Sequence, residues 1–443
     1  MTAIAVKLWG NLVGAITWDD DRSLGRFAYA PEFVDSGLEI APLTMPLTRN
    51  RLFEFPAHVR TKSFMGLPGL IADCLPEKFG NAVLAAKLGK VGRSLDEVTP
   101  VERLTYLGAR SMGALEFEPD YDTWPDSKPV SIVIEELVSV AEAVLKQRGS
   151  TESSLSNGNF DTLVQVGTSA GGAKAKAVIA WNEETNQVVS GASKAPEGFG
   201  YWLMKFDEVH NEEHATSRHI GQIEYAYYKM ALLADIPMMR CELFEDAGRH
   251  HFMAERFDRY SDGEKVHVQS FCGMAHADRD PPGSQGYEQL FVTARKLGLG
   301  QDTLDQIYRR MVFNILARNH DDHTKNHAFM MDMEGQWELT PAYDICFSYK
   351  PGNKFIESHQ MSCNGKREGF SYADLIQAAR AGDVSNPQQI IEQVNDALLA
   401  WPDIAKDAGL EAKQYASIQQ QFRNISAKER IITIKDEQRF RPG

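Results

Sequence analysis

Three side chains in the last third of the chain, Asp321, Asn326 and Asp344, are of the types that phosphoryl-transfer chemistry needs. Asp321 and Asn326 lie five residues apart in Asn319-His-Asp-Asp-His-Thr-Lys-Asn326. Catalytic loops that move a phosphoryl group put that spacing between an aspartate that accepts a hydroxyl proton and an asparagine that holds metal. The carboxylate orients the attacking hydroxyl, and a neutral oxygen ligand tolerates Mg2+ beside phosphates. Asp344 closes a second motif, Pro341-Ala-Tyr-Asp344. Between the two motifs the pattern predicts a hairpin, with strands at 328–333 and 337–340 around Glu334-Gly-Gln336. A hairpin brings its ends together, so Asn326 and Asp344, 18 positions apart, are expected to meet and share a cation. The plain alternative is a solvated, Asp-rich turn. Two aspartates are adjacent, and the spacing to Asn326 selects Asp321 over Asp322, which is left without a role.

Three further segments carry chemistry less specifically. Val166-Gly-Thr-Ser-Ala-Gly-Gly-Ala-Lys-Ala-Lys176 is a run of small residues expected between strands. Small residues let backbone N–H groups approach phosphate oxygens, and Lys174 and Lys176 add charge. The run lacks the P-loop order of glycines and Lys-Ser/Thr, and an ordinary hairpin loop explains it as well. Lys205 lies inside an apolar strand expected at 201–206, on the face of Tyr201 and Leu203. A buried ammonium requires an anionic partner, and Glu224, on the inward face of a helix expected at 216–234, is the candidate. An edge strand with a snorkelling lysine is the alternative. Phe252-Met-Ala-Glu-Arg-Phe-Asp258 reads as a strand ending in a charged turn whose backbone could read an adenine edge, although no residue type demands it.

These groups need a scaffold. The chain has 443 residues, enough for two or three domains. Strands are expected at 3–9 and 13–18 around Gly10-Asn11, and helices around 70–88 and 130–148. Two polar stretches, 118–129 and 149–159, read as linkers. Strands follow at 162–166, 177–181, 188–189, 201–206, 241–244 and 251–255, and from about 285 the chain is mainly helical. The strongly apolar helix containing Leu304, Ile307, Met311, Phe313, Ile315 and Leu316 must be buried, and it presents the polar octapeptide at its C-terminal end. The order implies an α+β protein with a β-rich lobe before an α-rich one, and a nucleotide commonly sits in the crevice between such lobes.

Composition narrows the classes. There are 47 basic and 61 acidic side chains, a net charge of −14, which disfavours direct wrapping of nucleic acid. Five cysteines without a CxxC pair argue against a disulfide framework and a cysteine zinc site. No apolar run is long enough for a signal-peptide core or a membrane span, so a cytoplasmic protein is expected, with no membrane partner.

Through nearly its whole length the sequence resembles the HipA family of bacterial protein kinases, the toxin components of HipBA-type toxin–antitoxin modules. The residues that carry the resemblance are Ser111-Met-Gly-Ala-Leu115, Ser169 to Lys176, Ile223-Glu-Tyr225, Glu255-Arg-Phe-Asp258, Asp321-Asp-His-Thr-Lys-Asn326 and Leu339-Thr-Pro-Ala-Tyr-Asp-Ile345. The resemblance implies a two-lobed protein-kinase-like fold with an N-terminal subdomain at 1–120, a nucleotide-binding lobe at 130–258 and a helical catalytic lobe at 259–443. It implies an ATP- and Mg2+-dependent serine/threonine kinase with Asp321 as base and with Asn326 and Asp344 holding Mg2+. Lys205, paired with Glu224, would contact the phosphates of ATP, and Gly171, Gly172, Ala173, Lys174, Ala175 and Lys176 would form the phosphate loop. The backbone of Glu255 and Phe257 would bind adenine, with Arg256 between them, and His323, Lys325 and Tyr343 would lie near the nucleotide. Ser169, with Thr168 beside it, matches a site of autophosphorylation. Phosphate there would eject the loop and block ATP. The implied partners are a helix-turn-helix antitoxin like HipB, operator DNA through it, and a protein substrate such as an aminoacyl-tRNA synthetase whose phosphorylation arrests growth.

Two other readings remain. His320, Asp321, His323 and His327, with His359, could ligate the metal of a phosphohydrolase, although Lys205, Glu224 and the Gly-rich run would then have no role. A catalytically inactive kinase fold could act only by binding, although the base and metal-ligand positions are all filled.

Overall fold

The structure, a computed structural model, describes residues 3–121, 131–146, 157–169, 171–207, 209 and 219–426. The chain divides into two compact units. The first comprises Met1–Gly221, Met239–His276 and Phe329–Trp337, and the second Gln222–Met238, Ala277–Ala328 and Glu338–Gly443.

In the first unit, alternate burial of Ile4, Val6 and Leu8 makes strand β1 (Ile4–Leu8), as period-two patterning requires. Trp9 and Gly10 both take positive φ, the conformation of a tight hairpin turn, and lead into β2 (Asn11–Asp19). β3 (Leu24–Tyr29) and β4 (Leu115–Glu118) complete an antiparallel sheet in the order β3-β2-β1-β4. Its core holds Val6, Ile16, Phe27, Phe53, Ile71 and Phe117.

The same unit contains a second sheet. Its strands are β5 (Lys176–Asn182), β6 (Gln187–Ser190), β7 (Gly200–Lys205), β8 (Cys241–Asp246) and β9 (Arg249–Glu255), in the order β6-β5-β7-β9-β8. The helices Lys78–Lys90, Ile134–Lys146 and Asn157–Gly167 share its core through Phe79, Leu137, Val138, Phe160 and Leu163. Each such side chain contributes roughly 1.5–3 kcal/mol on burial. The segment 162–166, expected as a strand, is helical, and so are residues 157–159 of the expected linker. Thr162, Val164 and Val166 favour a strand locally, but spacing at i, i+3 and i+4 lets Phe160, Leu163 and Val164 bury one helical face. Residues 122–129 and 149–156 of the two expected linkers lie outside the described residues, as do 130 and 147–148 at the ends of the helix expected at 130–148 and 216–218 at the start of the one expected at 216–234, which are found at Ile134–Lys146 and Ile220–Leu233.

The turn after β9 does structural work that its sequence did not disclose. Asp258 is buried and accepts from Arg256 through Nε and Nη2, each at 2.8 Å, and from the Gly113 N–H at 2.7 Å. Arg259 reaches Asp258 at 3.0 Å and donates to the carbonyls of Gly113 (2.9 Å) and Ser111 (3.1 Å). Burial alone would raise the Asp258 pKa, but the Arg256 and Arg259 guanidiniums outweigh it and hold the carboxyl well below the usual range. Glu255-Arg-Phe-Asp258 is thereby tied to Ser111-Met-Gly113 within one unit.

Strand β10 (His267–Ser270) lies beside the hairpin β11 (Ala328–Met331) and β12 (Trp337–Leu339), in the order β10-β11-β12. The second unit is mainly helical, with a stretch free of helix at 340–371 besides its share of this hairpin. Its centre is the helix Gln301–Leu316, in which every residue from Arg309 to Leu316 is buried. Two of the polar members reach main-chain carbonyls: Arg309 Nη1 donates to that of Ala234 (2.9 Å) and Arg310 Nη2 to that of Thr340 (2.7 Å). Arg318, at φ 59°, turns the chain out of the helix and into the octapeptide. Among the described residues no helix is long and apolar enough to cross a membrane.

Candidate active site

The buried helix fixes the start of the octapeptide, and hydrogen bonds within the loop fix the rest. Asn326 Nδ2 donates to the main-chain carbonyl of Asp321 at 2.7 Å, and the Asn326 N–H donates to the His323 carbonyl at 2.8 Å. The amide nitrogen is thus committed to the loop, which leaves Oδ1 as the end able to ligate a cation. The Asp321 side chain is half-exposed. His323 Nε2 stands 3.9 Å from Asp321 Oδ1, too far for a hydrogen bond.

The hairpin closes as its sequence predicts. The Thr340 N–H and hydroxyl both donate to the Ala328 carbonyl, at 3.1 and 3.2 Å. One step further out, the Tyr343 hydroxyl donates to the Lys325 carbonyl at 2.7 Å. These two residues directly precede Asp344 and Asn326, so the two motifs are clasped together within the second unit. Asp344 takes φ 53°, a left-handed conformation uncommon outside glycine and tolerated by aspartate.

Asp322, left without a role by the sequence, has a structural one. It is buried and accepts four donors. Tyr287 Oη (2.8 Å) and His359 Nδ1 (2.9 Å) meet Oδ2, while the backbone N–H groups of Gln360 (2.8 Å) and Met361 (3.4 Å) meet Oδ1. Tyr287 accepts in turn from Asn314 Nδ2 (3.0 Å), and Asn314 Oδ1 accepts from Asn319 Nδ2 (2.9 Å). Burial would raise the Asp322 pKa, but the His359 contact and the hydrogen bonds lower it overall. The adjacent aspartates therefore divide: Asp321 faces outward and Asp322 anchors the loop. A signal did exist, because Asn314 is a polar residue inside an otherwise apolar buried stretch.

The histidines do not form the metal centre a phosphohydrolase would need. Among the described residues no group of three or more His, Cys, Asp or Glu side chains is placed to hold a metal. His320 packs its ring 4.1 Å from that of His359, and burial holds its pKa down at about 2. His327 is buried, and burial lowers its pKa to about 3.

In the first unit, the Gly-rich run connects the helix Asn157–Gly167 to β5, rather than two strands, and residue 170 lies outside the described residues. Gly172, at φ 92°, donates its N–H to Glu77 Oε2 at 2.7 Å and accepts from the Phe79 N–H at 3.1 Å. A Cβ at Gly172 would lie 2.7 Å from Lys176 Nζ, so the ammonium packs directly on the loop backbone. Lys176 of β5 stands opposite Lys205 of β7, and both are buried. β7 is the central strand of its sheet and Lys205 is 8% exposed, which removes the snorkelling edge-strand alternative. Glu224 is buried as expected and belongs to the second unit.

Two sequence assignments change in detail. The Arg256 guanidinium is buried on Asp258, so any nucleotide contact by Arg256 would have to come from its main chain. The N–H groups of Glu255 and Arg256 are taken by the carbonyls of Arg240 and Tyr201, both at 2.9 Å, so any adenine contact draws on other backbone groups of this segment. Of the two hydroxyls before the loop, Thr168 Oγ1 donates to the Val164 carbonyl at 2.6 Å, whereas the buried Ser169 Oγ has no hydrogen-bond partner among the described residues.

Comparison with known proteins matches two stretches to family models, a HipA N-terminal domain over residues 4–118 and a HipA-like C-terminal domain over residues 168–401. A relative from Sinorhizobium fredii named as a kinase, Y4mE, is 24% identical over 365 residues, covering 78% of this chain and 77% of that protein. HipA of Shewanella oneidensis MR-1, solved with HipB and its operator DNA, aligns with a TM-score of 0.65 at 16% identity, covering 94% of this chain and 95% of that one. The fold is accordingly α+β and two-lobed, of the protein-kinase-like kind.

Proposed function

The chain belongs to the HipA family, and from that premise we propose that it is an ATP-dependent kinase that phosphorylates serine or threonine in proteins. The observation that carries this reading is the clasp in the second unit. Asn326 is held by its amide nitrogen on Asp321, and Tyr343 closes on Lys325. Together they support one base and two oxygen ligands in the pattern phosphoryl transfer uses.

In this reading Asp321 accepts the proton of the attacking hydroxyl. Asn326 Oδ1 and the Asp344 carboxylate hold Mg2+, which suits a hard cation with oxygen ligands. When bound, Mg2+ neutralises charge on the transferring phosphoryl group. Lys176 and Lys205 contact phosphate oxygens, and residues 171–175 bring their backbone close to them. The backbone of Glu255 and Phe257 lies along the adenine. His323, Lys325 and Tyr343 border the nucleotide.

The same reading includes autophosphorylation at Ser169. Its unpartnered hydroxyl supports Ser169 over Thr168, whose proton is already committed. The γ-phosphoryl group passes to Oγ, the hydroxyl proton passes to the base, and ADP leaves. A growth-inhibiting toxin partnered by a HipB-like antitoxin, and through it by operator DNA, accords with the family and with the net charge of −14. The proposed substrate is a translation protein such as an aminoacyl-tRNA synthetase.

The test is phosphate transfer from γ-labelled Mg-ATP to protein in a lysate, read beside phosphoproteomics of cells expressing wild type or Asp321→Asn. Labelling that depends on Asp321 supports the reading. Failure to bind Mg-ATP, together with no labelled protein, overturns it.

A further inference from the structure

Asp322 is the inner end of a chain of hydrogen bonds that leads to the C-terminal part of the second unit. His359 joins its two ends: Nδ1 is 2.9 Å from Asp322 Oδ2, and Nε2 is 3.1 Å from Arg423 Nη1. A guanidinium has only donors. Nε2 is therefore an acceptor, and the ring proton sits on Nδ1, pointed at Asp322. The tautomer follows from the identity of residue 423.

Arg423 is itself fixed. Its main-chain N–H donates to the Leu316 carbonyl at 2.9 Å and Nη1 donates to the Ile315 carbonyl at 2.8 Å. Nη2 also pairs with Glu368. Ile315 and Leu316 are the last residues of the buried helix that presents the octapeptide. A second arginine closes the same turn, with Arg318 Nε donating to the Gln421 carbonyl at 2.7 Å. Residues 421–423 thus grip both the end of the helix and the group that orients Asp322.

We propose that His359 and Arg423 are positioning residues for phosphoryl transfer. Arg423 sets the tautomer of His359, His359 donates to Asp322, and Asp322 holds the turn from which Asp321 meets its substrate. This rests on the kinase reading. Neither residue touches the reacting atoms, so both act through the placement of Asp321, and misplacing a catalytic group by about 1 Å can cost on the order of 10²-fold in rate.

The experiment compares full-length wild type with His359→Leu, His359→Asn and Arg423→Met, in steady-state transfer from Mg-ATP and in binding of a non-hydrolysable ATP analogue. An asparagine amide can place a donor near the position of Nδ1, whereas leucine has none. His359→Leu should lose about 10–100-fold in kcat, with KM for ATP and analogue affinity within about threefold of wild type. His359→Asn should recover most of that loss. Arg423→Met keeps an apolar stem and should lower kcat while the His359 ring nitrogens, followed by NMR, no longer report a single Nδ1–H tautomer. Unchanged kcat in His359→Leu overturns the positioning role alone. Equal losses in His359→Leu and His359→Asn, tracking lowered thermal stability, also overturn it. A wild-type protein that binds no nucleotide and transfers no phosphate overturns the kinase reading itself.

Discussion

The hydroxyl of Tyr343 and the main-chain carbonyl of Lys325 are joined at 2.7 Å. The bond holds the start and finish of the hairpin together one residue before each proposed metal ligand. Tyr343→Phe removes one donor at a cost of about 1 kcal/mol. Because the lost bond sets the spacing of Asn326 and Asp344, the Mg2+ concentration for half-maximal activity should rise several-fold while the fold persists. Titrating Mg2+ at saturating ATP checks this, and an unchanged midpoint rules the clasp out as a determinant of the metal site.

The adjacent aspartates should separate in opposite ways. Asp321→Asn keeps the outward side chain and should lower kcat by roughly 10²–10⁴-fold, with little change in melting temperature. Asp322→Asn replaces a buried carboxylate that accepts four donors, two of them the Tyr287 hydroxyl and His359. Breaking such a buried site typically costs about 3–5 kcal/mol, so its melting temperature should fall sharply. Differential scanning calorimetry beside kinetics distinguishes the two. The reverse pattern would reassign the base to Asp322.

Ser169→Ala should abolish phosphate incorporation in the loop without loss of stability, because the hydroxyl it removes is buried with no hydrogen-bond partner among the described residues. Thr168→Val should retain that phosphate and lose about 1 kcal/mol with its bond to Val164. Intact-mass spectrometry after incubation with Mg-ATP reads the first effect, and thermal melts read the second. Equal phosphorylation of Ser169→Ala and wild type sinks Ser169 as the site.

Asp258 predicts an acid limb of stability. Its pKa is lower in the folded state than in the unfolded chain, where an aspartate titrates at about 3.9. The unfolded state therefore takes up the proton first. The stabilisation is complete above about pH 4–5 and is lost as pH falls toward the folded pKa. Urea unfolding at stepped pH should show a shallower acid decline for Asp258→Asn than for wild type, from a lower starting stability at pH 7.

The parts legible in the sequence were those with local rules. Turn residues at Glu334-Gly-Gln336 locate the hairpin, and its closure places the two motifs together. Lys205 was readable because a charge in the middle of an apolar strand is conspicuous. Residues 162–166 were misread because β-branched side chains favour strands, whereas the tertiary core rewards the face that holds Phe160 and Leu163. Strands β4 and β10 escape notice because each has four residues and a partner, β1 or β11, that is remote in sequence. Asp322 could not be assigned because its partners lie 35 to 39 positions away, at Tyr287, His359, Gln360 and Met361. No periodicity links such positions. The Gly113 N–H that shares Asp258 with Arg256 escapes for the same reason, being 145 positions from that aspartate.

That last contact has a consequence for how the protein is inherited. The carboxylate of Asp258 is shared between arginines from one stretch of sequence and a backbone amide from another, 145 positions earlier. Deleting the front stretch would leave two guanidinium groups and one carboxylate without the carbonyls and amide that complete their shell. Shuffling by recombination would meet the same obstacle, because a foreign front piece must supply Gly113 and Ser111 in register. The two stretches therefore have to be exchanged together if the shell of Asp258 is to stay complete.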